Sequence, residues 1–133
     1  MYVKSNPIAL YTFELNGRNA FLEWMRSVEN TGAENAVKSR IRRVRKGIVG
    51  DVKTFRLKNK PENPMLVELR INCRSGYRIY AARCPDGLVL LHGGTKRRQL
   101  DDVRHASTLC RRFASSEGTL RPLRVRDMAS TTC

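Results

Sequence analysis

The chain has 133 residues, 41% of them hydrophobic, and carries 26 Lys and Arg against 12 Asp and Glu, a formal net charge of +14. This length suits one domain with a modest core, and no stretch approaches the roughly 20 apolar residues that a membrane span requires. Because 19 of the 26 cations are arginines, which bind phosphate in a planar, bidentate way, we expect nucleic acid, an anionic membrane surface or an acidic protein as partner. The alternative is a solvated basic surface without a specific ligand.

The cysteines give no sign of a metal site. Cys73, Cys84, Cys110 and Cys133 have neither CxxC spacing nor a companion histidine in zinc order. The N-terminus lacks the charged-then-apolar pattern of a signal peptide. We therefore expect reduced thiols, no metal, no cofactor and a cytoplasmic protein.

The first third of the chain predicts one strand and two helices. Residues 8–15 form a short strand, and the helix after it buries Phe21, Leu22, Met25 and Val28. A second helix, from about 33 to 46, has Ala36, Val37, Ile41 and Val44 on its inner face. Its other face carries Lys38, Arg40, Arg42, Arg43, Arg45 and Lys46. The short link between the helices predicts an αα-hairpin.

Strand patterns follow, and then one helix. Residues 52–58, 65–73, 77–84 and 88–94 alternate or run apolar as strands do, with turn signals between them. A last helix begins near Asp101 and ends near Phe113. The predicted fold class is α+β: an N-terminal helical hairpin packed on an antiparallel sheet of about four strands, with a C-terminal helix. The domain spans 1–113, and 114–133 is a basic, Ser/Thr-rich tail, either mobile or lying over the domain.

Two neighbouring strands each carry an arginine at mid-strand. Alternation puts Arg70 on the same face as Glu68, and Arg78 on the same face as Tyr80. A register that pairs residue 72 with residue 76 sets the two arginines opposite each other. Like charges so placed destabilise a sheet, so we expect a counter-charge, either Glu68 or a bound phosphate. The cluster is therefore either an Arg-Glu-Arg group on the surface or part of a face that grips a scissile phosphate.

Cleavage of RNA through the ribose 2′-hydroxyl needs a proton acceptor, a proton donor and cations that stabilise the developing charge. Arg70, Arg78 and Lys96 are the predicted cations. His92, at a strand end, and Glu68 are the alternative acid/base candidates, and a strand-end histidine with a structural partner is the other interpretation of His92.

The only other histidine is His105. We expect it on the surface of the last helix, although a two-histidine ribonuclease would need it to converge with His92. The predicted RNA contacts are Lys53, Tyr80 as a base-stacking ring, Arg97 and Arg98.

Four short motifs follow one another in the chain: "GDVK" (50–53), "ELRI" (68–71), "GYRIY" (76–80) and "GGTKRRQ" (93–99). In this order and spacing they resemble the RelE/ParE superfamily of toxins from bacterial toxin–antitoxin modules, in particular its HigB-like addiction module killer branch. The resembling run extends from 21 to 113.

The resemblance implies a metal-independent mRNA endoribonuclease that inhibits translation, usually by cutting messages in the ribosomal A site. It implies a cognate antitoxin, in this branch often a helix-turn-helix DNA-binding protein. It also implies that Arg70, Arg78, Lys96, Lys53 and Arg97 bind phosphate and act in catalysis. Two alternatives remain at this point: a non-catalytic RNA- or ribosome-binding protein, and a ParE-type toxin directed at gyrase.

Overall fold

The structure is a computed structural model that describes residues 7–28, 31–55, 65–73 and 76–128. The elements in chain order are β1 (Ala9–Glu14), α1 (Ala20–Ser27), α2 (Thr31–Arg45), β2 (Val52–Phe55), β3 (Met65–Ile71), β4 (Tyr77–Cys84), β5 (Gly87–Thr95), α3 (Gln99–Ala114) and β6 (Thr119–Pro122). Short 3-10 turns span Lys96–Arg98 and Val125–Met128.

The sheet is larger than the sequence predicts, and it is mixed. Its six strands run in the order β2-β3-β4-β5-β1-β6, and β1 pairs with β5 in parallel while the other pairs are antiparallel. The prediction of about four antiparallel strands is therefore wrong. Strand β1 buries Leu10 towards one core and Phe13 towards the other, so it is an interior strand that needs a neighbour on each side.

The predicted N-terminal helical hairpin is also wrong. α1 packs on β5 and β1, whereas α2 packs on β3. Each helix buries its own apolar stripe against the sheet: Phe21 and Met25 in α1, and Val37, Ile41 and Val44 in α2. The sheet offers more apolar area to each stripe than the other short helix could. The free energy gained by burial is roughly proportional to the apolar area removed from water, so each helix packs on the sheet.

The sheet divides the interior into two cores. One core, which we call the α1/α2 side, includes Leu69, Ile79 and Leu90. The other, the α3 side, includes Tyr80 and Leu109. Because helices cover both faces, the central strands are apolar almost continuously rather than in strict alternation.

The chain after α3 returns to the sheet. β6 pairs with β1, the Leu123 N–H donates to the Leu10 carbonyl at 2.9 Å, and the Leu123 carbonyl accepts from Arg45 Nη2 at 2.8 Å. Leu123 and Met128 are buried in the core on the α1/α2 side. The division of the chain at residue 113 stays a prediction.

No helix in the part of the chain that the structure describes is long and apolar enough to cross a membrane.

Candidate active site

Arg70 and Arg78, which we call the arginine pair, lie directly opposite each other on β3 and β4. This is the register under which the sequence analysis set the two arginines opposite each other. The side chain of Arg70 is 36% exposed and that of Arg78 is 10% exposed. The pair therefore lies where the α3 side of the sheet meets solvent, with one guanidinium accessible and the other largely buried.

Glu68 is the counter-charge of the arginine pair. Its carboxylate is fully buried, and Oε2 lies 3.2 Å from Arg70 Nε and 3.6 Å from Arg78 Nε. The other oxygen, Oε1, accepts a hydrogen bond of 2.9 Å from Gln99 Nε2, in the first turn of α3. The cluster is thus anchored beneath a helix, because α3 covers the face that holds Glu68. The carboxylate thus accepts hydrogen bonds from Arg70 and Gln99 and forms an ion pair with Arg78, which holds the two guanidinium groups in place.

Exposed cations surround the pair. Lys53 pairs with Glu68 across β2 and β3, so both side chains point to the α3 side, and its Nζ lies 4.9 Å from the centre of the Phe55 ring. Lys96 begins the 3-10 turn after β5, and its backbone N–H donates to the Gly76 carbonyl at 3.1 Å. The turn continues with two further exposed cations, Arg97 and Arg98.

Tyr80, predicted to stack on a base, lies next to Glu68 across the β3–β4 pair and is fully buried. No face of its ring is open to a base. Burial raises the pKa of its phenol well above the usual range, and the negative charge of Glu68 adds to the effect. Tyr80 is therefore protonated at neutral pH, and its buried hydroxyl has no hydrogen-bond partner among the described residues.

His92 reaches the α3 side through a β-bulge. Tyr80 pairs with His92 and Ala81 pairs with Leu90, so Leu91 is an extra residue in β5. Uninterrupted alternation from Leu90 would have turned His92 to the α1/α2 side. Bulges often redirect one side chain in this way next to functional sites.

His92 is held by α3. Its Nε2 lies 3.2 Å from Asp102 Oδ1, and its ring centre is 4.6 Å from that of His105. The two histidines therefore converge. His105 is also exposed, as the sequence predicted. Burial lowers the pKa of His92 below its usual 6.5, as do the neighbouring His105 and Arg98, whereas Asp102 acts in the opposite direction. At neutral pH the ring is thus neutral; when Nε2 donates to Asp102, the lone pair is on Nδ1.

Two adjacent glycines allow this close packing. A Cβ on Gly93 would lie 2.1 Å from the Trp24 ring on the α1/α2 side, and one on Gly94 would lie 1.8 Å from Asp102 Oδ2 on the α3 side. In the structure the glycines let Trp24 and Asp102 approach the β5 backbone from opposite faces.

Arg40 was placed on the wrong face of its helix by the sequence analysis. It is 4% exposed, and its guanidinium donates to the Arg70 carbonyl at 2.9 Å and to the Asp51 carbonyl at 2.8 Å. It therefore ties α2 to the backbone of the arginine pair. The signal was available, because Arg40 continues the buried spacing of Val37 and Val44.

Unpaired buried polar atoms are concentrated on the α3 side. Among the described residues, the buried side-chain nitrogen and oxygen atoms without a hydrogen-bond partner are Arg78 Nε, Tyr80 Oη, His92 Nδ1 and Asp102 Oδ2. Such atoms are uncommon in native proteins and often mark functional sites. Their concentration makes this region the candidate active site.

Arg70 and His92 line different grooves. Arg70 lines a groove of about 460 Å³ with Arg40, Arg43 and Asp51. His92 lines a groove of about 530 Å³ with His105 and Trp24. Over the ranges that the structure describes, no three His, Cys, Asp or Glu residues are arranged to hold a metal ion.

Comparison with known proteins gives one relative to report. An uncharacterized protein of Haemophilus influenzae is 32% identical over 99 residues, which cover 74% of this chain and 93% of that protein. No family model matches the chain, and no solved structure matches it.

Proposed function

Because the chain belongs to one family with the uncharacterized Haemophilus influenzae protein, we propose its function from its own residues: it is an RNA-cleaving toxin of a type II toxin–antitoxin module. Its substrate is mRNA on the ribosome, and its partner is a cognate antitoxin with a helix-turn-helix DNA-binding domain. The site of action is the cytoplasm. The order of the four motifs, which resembles the RelE/ParE superfamily, supports the proposal.

The observation that carries the proposal is the arginine pair with its buried carboxylate. Two guanidinium groups on adjacent strands share one buried counter-ion, Glu68, and Arg70 also lies 4.0 Å from the exposed carboxylate of Asp51. Lys53 and Lys96 add exposed positive charge beside the arginine pair. Cations fixed in a partly buried position stabilise a phosphate more than mobile surface cations do, because they need not reorganise when the ligand arrives.

In the proposed reaction the ribose 2′-oxygen forms a bond to phosphorus, and the bond from phosphorus to the 5′-oxygen of the next nucleotide breaks. The products are a 2′,3′-cyclic phosphate and a free 5′-hydroxyl. Arg70, Arg78 and Lys96 stabilise the extra negative charge of the phosphorane. The 2′-hydroxyl proton is transferred to a base, and the 5′-oxygen takes up a proton from an acid or from water.

The proposed base is His92 rather than Glu68. Glu68 is engaged by Arg70, Arg78 and Gln99, whereas neutral His92 keeps a lone pair on Nδ1, a buried atom without a hydrogen-bond partner to which the site must give the substrate access. His92 is a diagonal neighbour of Arg78 across β4 and β5. The Cα atoms of such neighbours are roughly 7 to 8 Å apart. Hydrogen bonds of catalytic groups commonly tighten only in the complex with substrate.

One observation favours a second candidate, a non-catalytic RNA- or ribosome-binding protein. His92 Nε2 faces Asp102, and Asp102 packs over Gly94, which pairs with Arg78. The Asp102 carboxylate therefore lies on the α3 side between His92 and the arginine pair. A protein that only tracks the RNA backbone needs the cations and has no use for a base.

The first experiment is a short pulse of expression in a bacterial host, followed by primer extension on one transcript made with and without its start codon. We expect cuts in the translated transcript alone, their loss in Arg70→Gln, and rescue of growth by the antitoxin expressed from the neighbouring gene. Arg83→Gln is the matched control, since Arg83 is an exposed arginine on β4, beyond the site. Intact transcripts together with normal growth contradict the toxin proposal.

Purified protein separates the two candidates. For a nuclease, Arg70→Gln lowers the cleavage rate by about 10² to 10³ while RNA affinity falls only a few-fold. For a backbone binder, wild-type protein leaves RNA intact, and the same substitution reduces the slope of log affinity against log salt by about 0.7, the value of one lost phosphate contact on a single strand.

A further inference from the structure

The two parallel strands of the sheet separate at their carboxyl ends. β1 pairs with β5 from Ala9 opposite Gly87 to Thr12 opposite Leu90, and the pairing then stops. From there β1 leads into α1 on one face of the sheet, whereas β5 leads into α3 on the other. In sheets with parallel strands, the point where neighbouring strands send their connections to opposite faces leaves a crevice, and ligands bind there.

The groove of about 530 Å³ lies in this crevice, which we call the β1–β5 crevice. Trp24 from α1, His105 from α3 and His92 from β5 supply aromatic rings to its lining. Asn16, Arg18, Glu23 and Ser27 line it with polar groups. This volume lies within the range of roughly 300 to 1,000 Å³ typical of small-ligand sites.

The chemistry of this lining suits a nucleobase. Aromatic rings from three elements can pack against a flat ring, and stacking of this kind tolerates any base because each has a π-face. Amide, carboxylate and hydroxyl groups at the rim can bond to base edges. Arg18 forms an ion pair of 2.6 Å with Glu23, so the crevice mouth is close to neutral and better suited to a base than to a phosphate.

We propose that the β1–β5 crevice binds one nucleobase of a single-stranded RNA whose backbone lies on the arginine pair. The inference rests on the proposed function for its choice of RNA, and it adds a base-binding subsite on the side of His92 remote from Arg70. Asp102 orients His92, and His105 completes the ring surface. An RNA strand held at both places has one base unstacked from its neighbours. Binding of that base fixes the position of the RNA relative to the arginines.

The test uses the single tryptophan of the chain. Trp24 lines the crevice, so its fluorescence responds to a base stacked nearby, and free nucleosides carry no phosphate for the arginine pair to bind. We titrate the full chain with adenosine, guanosine, cytidine and uridine, with ribose 5-phosphate as the control ligand. The variants are His105→Ala, Thr108→Ala and Arg70→Gln; Thr108 is exposed on the same helix as His105 and does not line the crevice.

We expect saturable quenching by at least one nucleoside and none by ribose 5-phosphate. His105→Ala raises the half-saturating concentration about ten-fold, in line with the loss of one stacking partner, whereas Thr108→Ala and Arg70→Gln leave it unchanged. The inference is overturned if no nucleoside quenches saturably, or if His105→Ala binds as wild type does. If RNA is cleaved in an Arg70-dependent way but no nucleoside quenches Trp24 fluorescence, the base-binding crevice is refuted and the proposed function is not. If nucleosides quench but the protein neither cleaves nor binds RNA, the proposed function is refuted and the crevice is not.

Discussion

Glu68 should be indispensable to stability, because it is the counter-charge of the arginine pair. Glu68→Gln keeps the shape of the side chain and removes its charge. The amide can still accept one of the hydrogen bonds that reach Oε1 and Oε2, but Arg78 then remains largely buried, directly opposite another cation. Removing one partner of a buried ion pair costs about 3 to 5 kcal/mol.

The low end of that range applies here. Arg70 is a third exposed and keeps part of its hydration, so most of the penalty falls on Arg78. We expect a loss of about 3 kcal/mol in the free energy of unfolding, which for a chain of 133 residues lowers the melting temperature by about 10 °C. Circular dichroism during thermal unfolding measures both.

The same variant also tests anion binding. Sulfate at the ionic strength of a chloride reference should stabilise Glu68→Gln more than wild type, because an oxyanion can take the place of the lost carboxylate between the two guanidinium groups. The control is Glu117→Gln, which breaks an exposed pair with Arg112 and costs under about 1 kcal/mol. The electrostatic account of the arginine pair fails if Glu68→Gln and Glu117→Gln have the same melting temperature. It also fails if sulfate stabilises Glu68→Gln and the wild type equally.

Three more outcomes are expected. Burial lowers the pKa of His92, so as the pH falls below 6.5 the unfolded chain takes up a proton before the folded one and wild type loses stability. In urea unfolding across this range, the free energy of unfolding should fall less steeply with pH in His92→Gln. Equal slopes for the two proteins contradict the burial. Gly94→Ala places a methyl group against Asp102 and should cost about 1 to 3 kcal/mol by thermal unfolding, whereas an unchanged melting temperature means that Asp102 does not pack there. Burial raises the pKa of Cys110 to about 11, so mass spectrometry after iodoacetamide treatment near neutral pH should find Cys84 modified before Cys110; the reverse order is the contrary result.

The arginine pair could be predicted because local rules determine it. Alternation fixes the face of each side chain, and the small number of residues between the two strand patterns limits which residues can be opposite. Both rules use residues that are close in sequence, and the observed pairing of Arg70 with Arg78 follows from them. The choice of Glu68 as counter-ion follows from the same alternation.

The rest of the sheet depends on information that local patterns lack. β6 is exposed along its length and includes Pro122, so neither burial nor alternation indicates a strand. The position of β1 between β5 and β6 arises from long-range pairing, on which a strand pattern is silent. Once β1 and β6 joined the sheet, α1 and α2 had a wide apolar surface to cover, and the predicted hairpin gave way to separate packing.

The candidate site shows the same limit on a smaller scale. The meeting of His92 with His105 depends on the single extra residue Leu91 in β5. A bulge shifts one side chain to the other face without changing the composition of the strand. Arg40 is the contrary case, because local information was sufficient there. Its helical spacing predicts the buried face, and it was assigned to the exposed face only because it is charged.

The place of β1 also sets an order of events during synthesis. Among the strands of the sheet β1 is synthesised first and its partners, β5 and β6, are synthesised last, so Tyr11 can pair with Pro122 only after the other strands have been made. Until then the nascent chain exposes a strand with two open edges, a template for unwanted pairing. Such distant pairings also slow folding. A protein of this topology completes its sheet only after β6 has been made, so a chaperone or partner that binds β1 acts before the fold is formed.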